Sequence, residues 1–240
     1  MSELLQEQDV AKSYRILGLG ATTLVGAALD GDLNYMAAAW AGVSDFDKGY
    51  VVVAKDHYTR KLIEKSGRFL LCYPGAGIVE TVMKLGTVSK NDEIKKLELS
   101  GAQFIEQEGF SLPLIKGCSA YLEYEVIKEP HMEDEYDMFF GKCLRVVADS
   151  RVYRDNHWHF DSAPDDLRTL HYVAGGHFYT IGKELVLPQY GDEWSEYPQS
   201  WSTSSSWLKP SFYCHQLEDL NPSRSQKITT WRCTVAPCIA

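Results

Sequence analysis

Cysteine is scarce and scattered. Cys72, Cys118, Cys143, Cys214, Cys233 and Cys238 are spread over 240 residues, and no two form a CxxC pair. That pattern excludes a disulfide-stapled scaffold and predicts reduced thiols in a cytoplasmic protein. Positive charge is also short: 24 lysines and arginines stand against 33 aspartates and glutamates, leaving a net charge of −9. Nucleic acids and anionic membrane surfaces both require a basic face, so neither is an expected partner. Long apolar runs are missing too. The run that begins at Leu24 ends at Asp30, well short of the roughly 20 residues of a spanning helix. The opening MSELLQEQDVAK lacks the basic-then-apolar profile of a secretory signal.

The usual catalytic signatures are absent as well. There is no P-loop, no GxSxG elbow and no HExxH. GLGATT at Gly18 lacks the third glycine, preceding strand and following helix of a dinucleotide fingerprint. His157 and His159 could share one face of a strand, and Cys214, His215, Cys233 and Cys238 could gather, but neither set has a standard metal-ligand spacing. No metal and no catalytic triad are expected. A local cluster of three or four bases can still hold a phosphorylated small molecule, so chemistry on such a molecule is the starting expectation.

Hydrophobic residues make up 45% of the chain and charged ones 24%, which is globular composition. A polar leader is expected over 1–14, one domain over 15–185, and an extension over 186–240. That extension holds four of the six tryptophans, three of the six cysteines and the stretch SWSTSSSW, with no sustained periodicity.

Within the domain the pattern is mainly β. Thr22 to Leu29 reads as a strand, Asp30-Gly31-Asp32 as a tight turn, and Leu33 to Trp40 as the returning strand. Tyr50 to Ala54 is a third strand. The period then changes: Asp56 to Ser66 is predicted helical, closed by Gly67. Phe69 to Tyr73 is a buried strand ended by Pro74-Gly75. Helices are predicted over Ile78 to Leu85, stopped by Gly86, and over Asp92 to Leu99 with Asp92 as N-cap. Cys118 to Lys128 alternates, placing Tyr121, Glu123 and Glu125 opposite Leu122, Tyr124 and Val126. Met138 to Ala148 pairs with it across the acidic connector EPHMEDEYD, and Arg151 to Tyr153 with Trp158 to Phe160 suggests a hairpin. The sum is a β-barrel carrying short helical excursions.

Three segments have residues suited to chemistry. In AKDHYTRKLIEKSG a strand gives way to a helix among Lys55, His57, Tyr58, Thr59 and Arg60. A helix N-terminus with adjacent cations and hydroxyls is an anion site; a solvated helix start with Thr59 as its cap is the plainer reading. NYMAAAW offers Ala37, Ala38 and Ala39, small side chains that let a flat ligand approach a strand backbone or simply fill a tight inter-strand space. GTVSKNDEIKK offers Ser89, Lys90 and Lys95 in a second anion-favouring loop, or a solvated surface loop.

Taken in order, NYMAAAW, HYTRKLI, KLGTVSKNDEIKK, the long strand pair and LHYVAGGHFYTIGK resemble the flavin reductase-like family, which includes the flavoredoxins. The resemblance covers roughly residues 14–183. It implies a mainly β Greek-key split barrel with inserted short helices, of the FMN-binding type, forming a homodimer with FMN near its interface. By position, Ala37, Ala38 and Ala39 would lie along the flavin ring, Lys55, Tyr58 and Thr59 would form the phosphate turn, and Ser89 and Lys95 would serve the second loop. The chain departs from the family pattern at Ala37 (often threonine), Lys55 (more often arginine), Lys90 (usually glycine) and Ile94-Lys95 (usually Asp-Lys).

The implied activity is that of an NAD(P)H:flavin reductase, passing hydride through FMN to free flavin, a redox partner protein or oxygen. Two readings stand beside it: a flavoredoxin-type electron carrier that turns over no nicotinamide, and a split-barrel protein for another planar ligand such as haem, or for none. Haem would need an axial histidine, for which His57, His171 and His177 are the nominees.

Overall fold

Asp30 and Gly31 sit at φ 52° and 83°. Two successive left-handed residues make the turn whose twist suits a two-residue hairpin, and Asp-Gly is a pair that adopts it readily. They join β1 (Thr23–Leu29) to β2 (Asp32–Ala38), antiparallel over the whole length of both. Gly26 lies opposite Tyr35, and an added Cβ there would come within 2.3 Å of the Tyr35 ring. The glycine is what lets that ring lie flat across β1.

The computed structural model describes residues 6–186, together with the backbone of 213–216 and 231–234. Contacts divide the chain into two units, 1–187 and 188–240. After α1 (Tyr14–Leu17) and the first hairpin, the first unit continues through β3 (Ala41–Asp45), β4 (Lys48–Val52), α2 (Tyr58–Ser66) and β5 (Arg68–Pro74). Next come α3 (Val79–Thr87), α4 (Lys96–Ser100), β6 (Phe104–Ile105), β7 (Leu114–Ile115) and β8 (Cys118–Ile127). It closes with α5 (Pro130–Glu135), β9 (Met138–Ala148), the small hairpin β10 (Tyr153–Arg154) and β11 (His157–Trp158), and the hairpin β12 (Leu170–Ala174) and β13 (His177–Thr180). In the second unit β14 (Tyr213–Gln216) pairs with β15 (Trp231–Thr234), Cys214 opposite Cys233. The serine- and tryptophan-rich stretch, Cys238, and the side chains of Cys214, His215 and Cys233 lie outside the described residues.

One seven-stranded antiparallel sheet dominates, in the order β2-β1-β5-β8-β9-β4-β3. It is covered on both faces. Leu24, Leu70, Cys72 and Tyr121 point to one core with Val82 and Leu85 of α3. Val25, Phe69, Leu71 and Tyr124 point to the other with Leu62 and Ile63 of α2. The alternation along β1 and β5 therefore feeds two cores, and the central strands read as continuous apolar runs.

That two-sided burial explains where the strand pattern misleads. Glu123, on the face of β8 that the alternation gives it with Tyr121, is buried at 1% exposure. It accepts from the Ser111 hydroxyl and backbone amide and lies 3.7 Å from the Arg68 guanidinium. Other boundaries shift for local reasons. β3, which sequence patterning leaves unassigned, is a mixed-burial edge strand with no clean alternation. The third strand runs Lys48–Val52 rather than Tyr50 to Ala54. Gly86 does not stop α3, which continues to Thr87. Asp92 caps nothing: its amide bonds Ser89 O in a turn, and α4 begins only at Lys96. The acidic connector contains α5.

No helix among the described residues is long and apolar enough to cross a membrane. Cys72, Cys118 and Cys143 are free thiols. His157 and His159 bring their rings to 5.5 Å, and no third metal-binding donor joins them among the described residues.

Candidate functional site

Strand β2 and helix α3 pass close enough to make a groove between them. Gly86 faces Ala37 across it, and a Cβ on the glycine would lie 3.1 Å from the alanine Cβ. Around this point lie two recesses that share Gly86 and Thr87 as lining, one apolar and one polar.

The apolar recess has a volume of about 190 Å³. Ala37, Ala38 and Ala39 line one side, and Val82 and Met83 of α3 another. The β12–β13 hairpin contributes Tyr172 and Phe178, whose rings pack at 5.1 Å, and Thr22 joins them. Nothing in the pattern of LHYVAGGHFYTIGK singles out those two aromatics. They become wall residues because Ala174, Gly175 and Gly176, all at positive φ, fold the hairpin back on itself.

The polar recess, about 220 Å³, lies where β2, the start of α2 and the loop after α3 converge. His57 occupies the N-cap position of α2 with an extended backbone and makes no side-chain cap. The first turn of the helix thus keeps its positive end for another acceptor. Thr59 is not the cap either. It is fully buried, and its hydroxyl accepts a 2.8 Å hydrogen bond from the Asn34 amide nitrogen. Asn34 is 1% exposed, lines the recess, and its Oδ1 has no hydrogen-bond partner. Buried acceptors are rarely left in that state without a ligand or water.

Lys96 is the second group in the recess without a protein partner. It is 3% exposed and lines the recess, and among the described residues no carboxylate pairs with its ammonium. Desolvation, helped by the neighbouring charge of Lys90, brings its pKa down to about 8. A partly desolvated ammonium without a counter-charge carries a solvation cost that an anionic ligand would offset.

Two nearby cations already have partners. Arg60, a neighbour of the helix start in sequence, is buried on the other side of α2. It bonds Glu64, Asp137 and the carbonyls of Val53 and Glu133, with its guanidinium over the Phe139 ring. Lys90 bonds Asp32 at 2.6 Å and the Leu33 carbonyl at 2.8 Å. The Tyr58 hydroxyl donates to the other oxygen of Asp32. Burial would raise the Asp32 carboxyl, but the bonds from Lys90 and Tyr58 outweigh it and hold the group below its ordinary range. Tyr58 is held up by the same bond and stays protonated.

Of the residues nominated from sequence, the alanines line the apolar recess, and Tyr58, Thr59 and Ser89 the polar one. Lys55 and Lys95 are exposed and line neither. The lysines that line the recess are Lys90, singled out in the second loop, and Lys96, one position on from Lys95. The signal that could have found it is the start of α4, because only a helix beginning at Lys96 turns that side chain inward. Asn34 went unnominated inside a segment that was singled out. His57 borders the polar recess, while His171 and His177 border neither, so no histidine lines the apolar one.

The flavin reductase like domain family matches residues 20–176, most of the first unit. The chain belongs to the flavin reductase-like family. It is 34% identical over 183 residues to the Escherichia coli protein YddH, covering 74% of this chain and 95% of that one. Among solved structures, an FMN-binding domain of a flavin reductases-like enzyme from Shewanella baltica superposes with a TM-score of 0.68 at 41% identity, over 75% of this chain and 95% of that one. Flavoredoxin of Desulfovibrio vulgaris shares the fold at a TM-score of 0.61 and 23% identity, over 77% and 97%. The fold class is thus the split barrel of this flavin reductase-like family, as the resemblance implied.

Proposed function

We propose that this flavin reductase-like chain binds FMN in the groove between β2 and α3 and acts as an NAD(P)H-dependent flavin oxidoreductase. The observation that carries this reading is the pairing of one apolar and one polar recess through Gly86, the polar one lined by a desolvated ammonium without a counter-charge and by an orphaned acceptor. A molecule with a flat apolar ring system at one end and hydroxyls and an anion at the other meets both demands. Kinship to the FMN-binding domain from Shewanella baltica supports the same ligand.

When bound, FMN supplies the hydride chemistry. The chain's own residues bind and orient. Ala37, Ala38, Ala39 and Gly86 would hold the ring, because longer side chains there would fill the space. Asn34 Oδ1 would accept from a hydroxyl. Lys96 and the uncapped start of α2 would hold negative charge electrostatically. Tyr172 and Phe178 would exclude water from the ring end. No side chain is assigned a proton transfer: the Tyr58 proton is committed to Asp32.

A cytoplasmic homodimer completes the proposal. Val43 on the edge strand β3 and Leu144 and Val146 on β9, two strands in from that edge, are exposed apolar residues that a second copy would cover.

The test is a titration of the full-length protein with FMN followed by turnover of NADH and NADPH, with and without added FMN. Saturable one-to-one binding with nicotinamide oxidation is the expected result. FMN binding without oxidation would replace the reductase by an electron carrier, and absence of binding would end the flavin reading altogether.

A further inference from the structure

The polar recess is tied across on the side of the β1–β2 turn. The loop after α3 is fastened to that turn by the Lys90 ammonium, which reaches both Asp32 and the Leu33 carbonyl. The same loop is fastened to the entry of α2 by Asn91, whose amide nitrogen donates to the Asp56 carbonyl at 2.8 Å. The Tyr58 hydroxyl closes the set on the second oxygen of Asp32, and the Tyr58 ring lies beneath two ammonium groups, Lys61 at 3.3 Å and Lys90 at 5.1 Å. The Lys90 side chain is 11% exposed and that of Asp32 37%, so the lysine end of the pair is held in the protein while the carboxylate end meets water.

These bonds form a strap between three segments: turn, helix entry and loop. A phosphomonoester bound by Lys96 and the start of α2 would end inside the strap. A pyrophosphate carrying a further nucleoside would have to continue past it. To do so it would have to displace Lys90 and set its second phosphate beside the carboxylate of Asp32, which would then be without its cation. The cost is chiefly that of two like charges, since Asp32 would keep only the Tyr58 hydroxyl while facing that phosphate.

We infer that the Lys90–Asp32–Tyr58 strap makes this site selective for FMN over FAD. The inference rests on the reading that the recess takes a flavin phosphate, and it adds which flavin is admitted and which residues decide.

The experiment measures dissociation constants for FMN and for FAD by flavin fluorescence, at one fixed salt concentration, on the full-length protein and on the Lys90→Ala and Asp32→Asn variants. The unaltered protein is expected to hold FMN tighter than FAD by about tenfold or more, the scale set by one uncompensated charged partner. Both variants are expected to narrow that ratio by improving FAD binding, and Asp32→Asn, close in size to the original, covers the case in which Lys90→Ala disturbs the loop. Equal affinities in the unaltered protein would overturn the inference while leaving the flavin reading intact. So would a ratio unchanged in both variants, or a loss of FMN binding in parallel with FAD, which would make Lys90 a plain phosphate ligand. If neither flavin binds the unaltered protein, the underlying reading fails and the selectivity goes with it.

Discussion

Asn34 on β2 donates its amide to the hydroxyl of Thr59 in the first turn of α2, 25 residues away, across 2.8 Å. The bond fixes the rotamer of a fully buried side chain, and it leaves Oδ1 at the recess wall with nothing to accept. Asn34→Ala is expected to weaken FMN binding by about 1 kcal/mol, a factor of five to ten, the usual worth of one neutral hydrogen bond. Titrating riboflavin in parallel locates the contact. An equal loss for both places it on the polyol or ring, and a loss confined to FMN would assign Asn34 to the phosphate.

Thr59→Val tests the other half of the pair. The replacement keeps the shape and removes the acceptor, so the buried Asn34 amide nitrogen loses its partner. Urea unfolding of the ligand-free protein should show a loss of roughly 1–3 kcal/mol. No loss would mean that the hydroxyl is dispensable to the fold.

Lys96 separates stability from binding. Its side chain is buried and its ammonium partly desolvated without a counter-charge, so Lys96→Met should raise the thermal midpoint of the ligand-free protein while lowering FMN affinity by about tenfold or more. A purely structural lysine would lower the midpoint when removed, which is the outcome that would exclude the role given to it here.

The same group sets a pH dependence. Its pKa is about 8 in the folded chain against 10.5 ordinarily. Between those values the unfolded chain still carries the proton that the folded one has released. The Lys96 contribution to ligand-free stability therefore rises with pH across that window, and the difference between the protein and Lys96→Met isolates it. FMN affinity should run the opposite way and fall above about pH 8, as the charge that holds the anion is lost. Affinity that stays flat from pH 7 to pH 10 would place the anion away from about this group.

Gly86 stands where the two recesses meet. Replacing it by alanine adds helix propensity worth about 1 kcal/mol. Against this the new Cβ presses on Ala37 at 3.1 Å. Gly86→Ala is expected to leave the thermal midpoint nearly unchanged and to cut FMN affinity by about tenfold or more, because the methyl group enters the passage a long ligand must span. Unimpaired binding would show that no single ligand occupies both recesses.

Several elements were legible from local chemistry alone. Asp30-Gly31 fixes a hairpin because the pair tolerates left-handed backbone, and Gly67, at φ 68°, ends α2 for the same reason. The small side chains of Ala37 to Ala39 marked a surface that something flat could approach. Other features depended on partners distant in sequence. Arg60 and Thr59 adjoin in the chain, yet Arg60 serves Asp137 and Glu133 while Thr59 serves Asn34, because neighbours on a helix point in different directions.

By itself, then, the sequence determined the turn chemistry, the periods of the strands and helices, and the small-residue stretch on β2, since each is set by the conformational limits of residues a few positions apart. Only the tertiary structure decided that Lys96 rather than Lys95 enters the groove, that Glu123 is buried in a sheet covered on both sides, and that Tyr172 and Phe178 close the apolar end. The physical reason is that burial and charge pairing are properties of surfaces brought together by long-range packing. A helix that starts a few residues later, or a second layer over a sheet face, redirects a side chain without altering its local pattern.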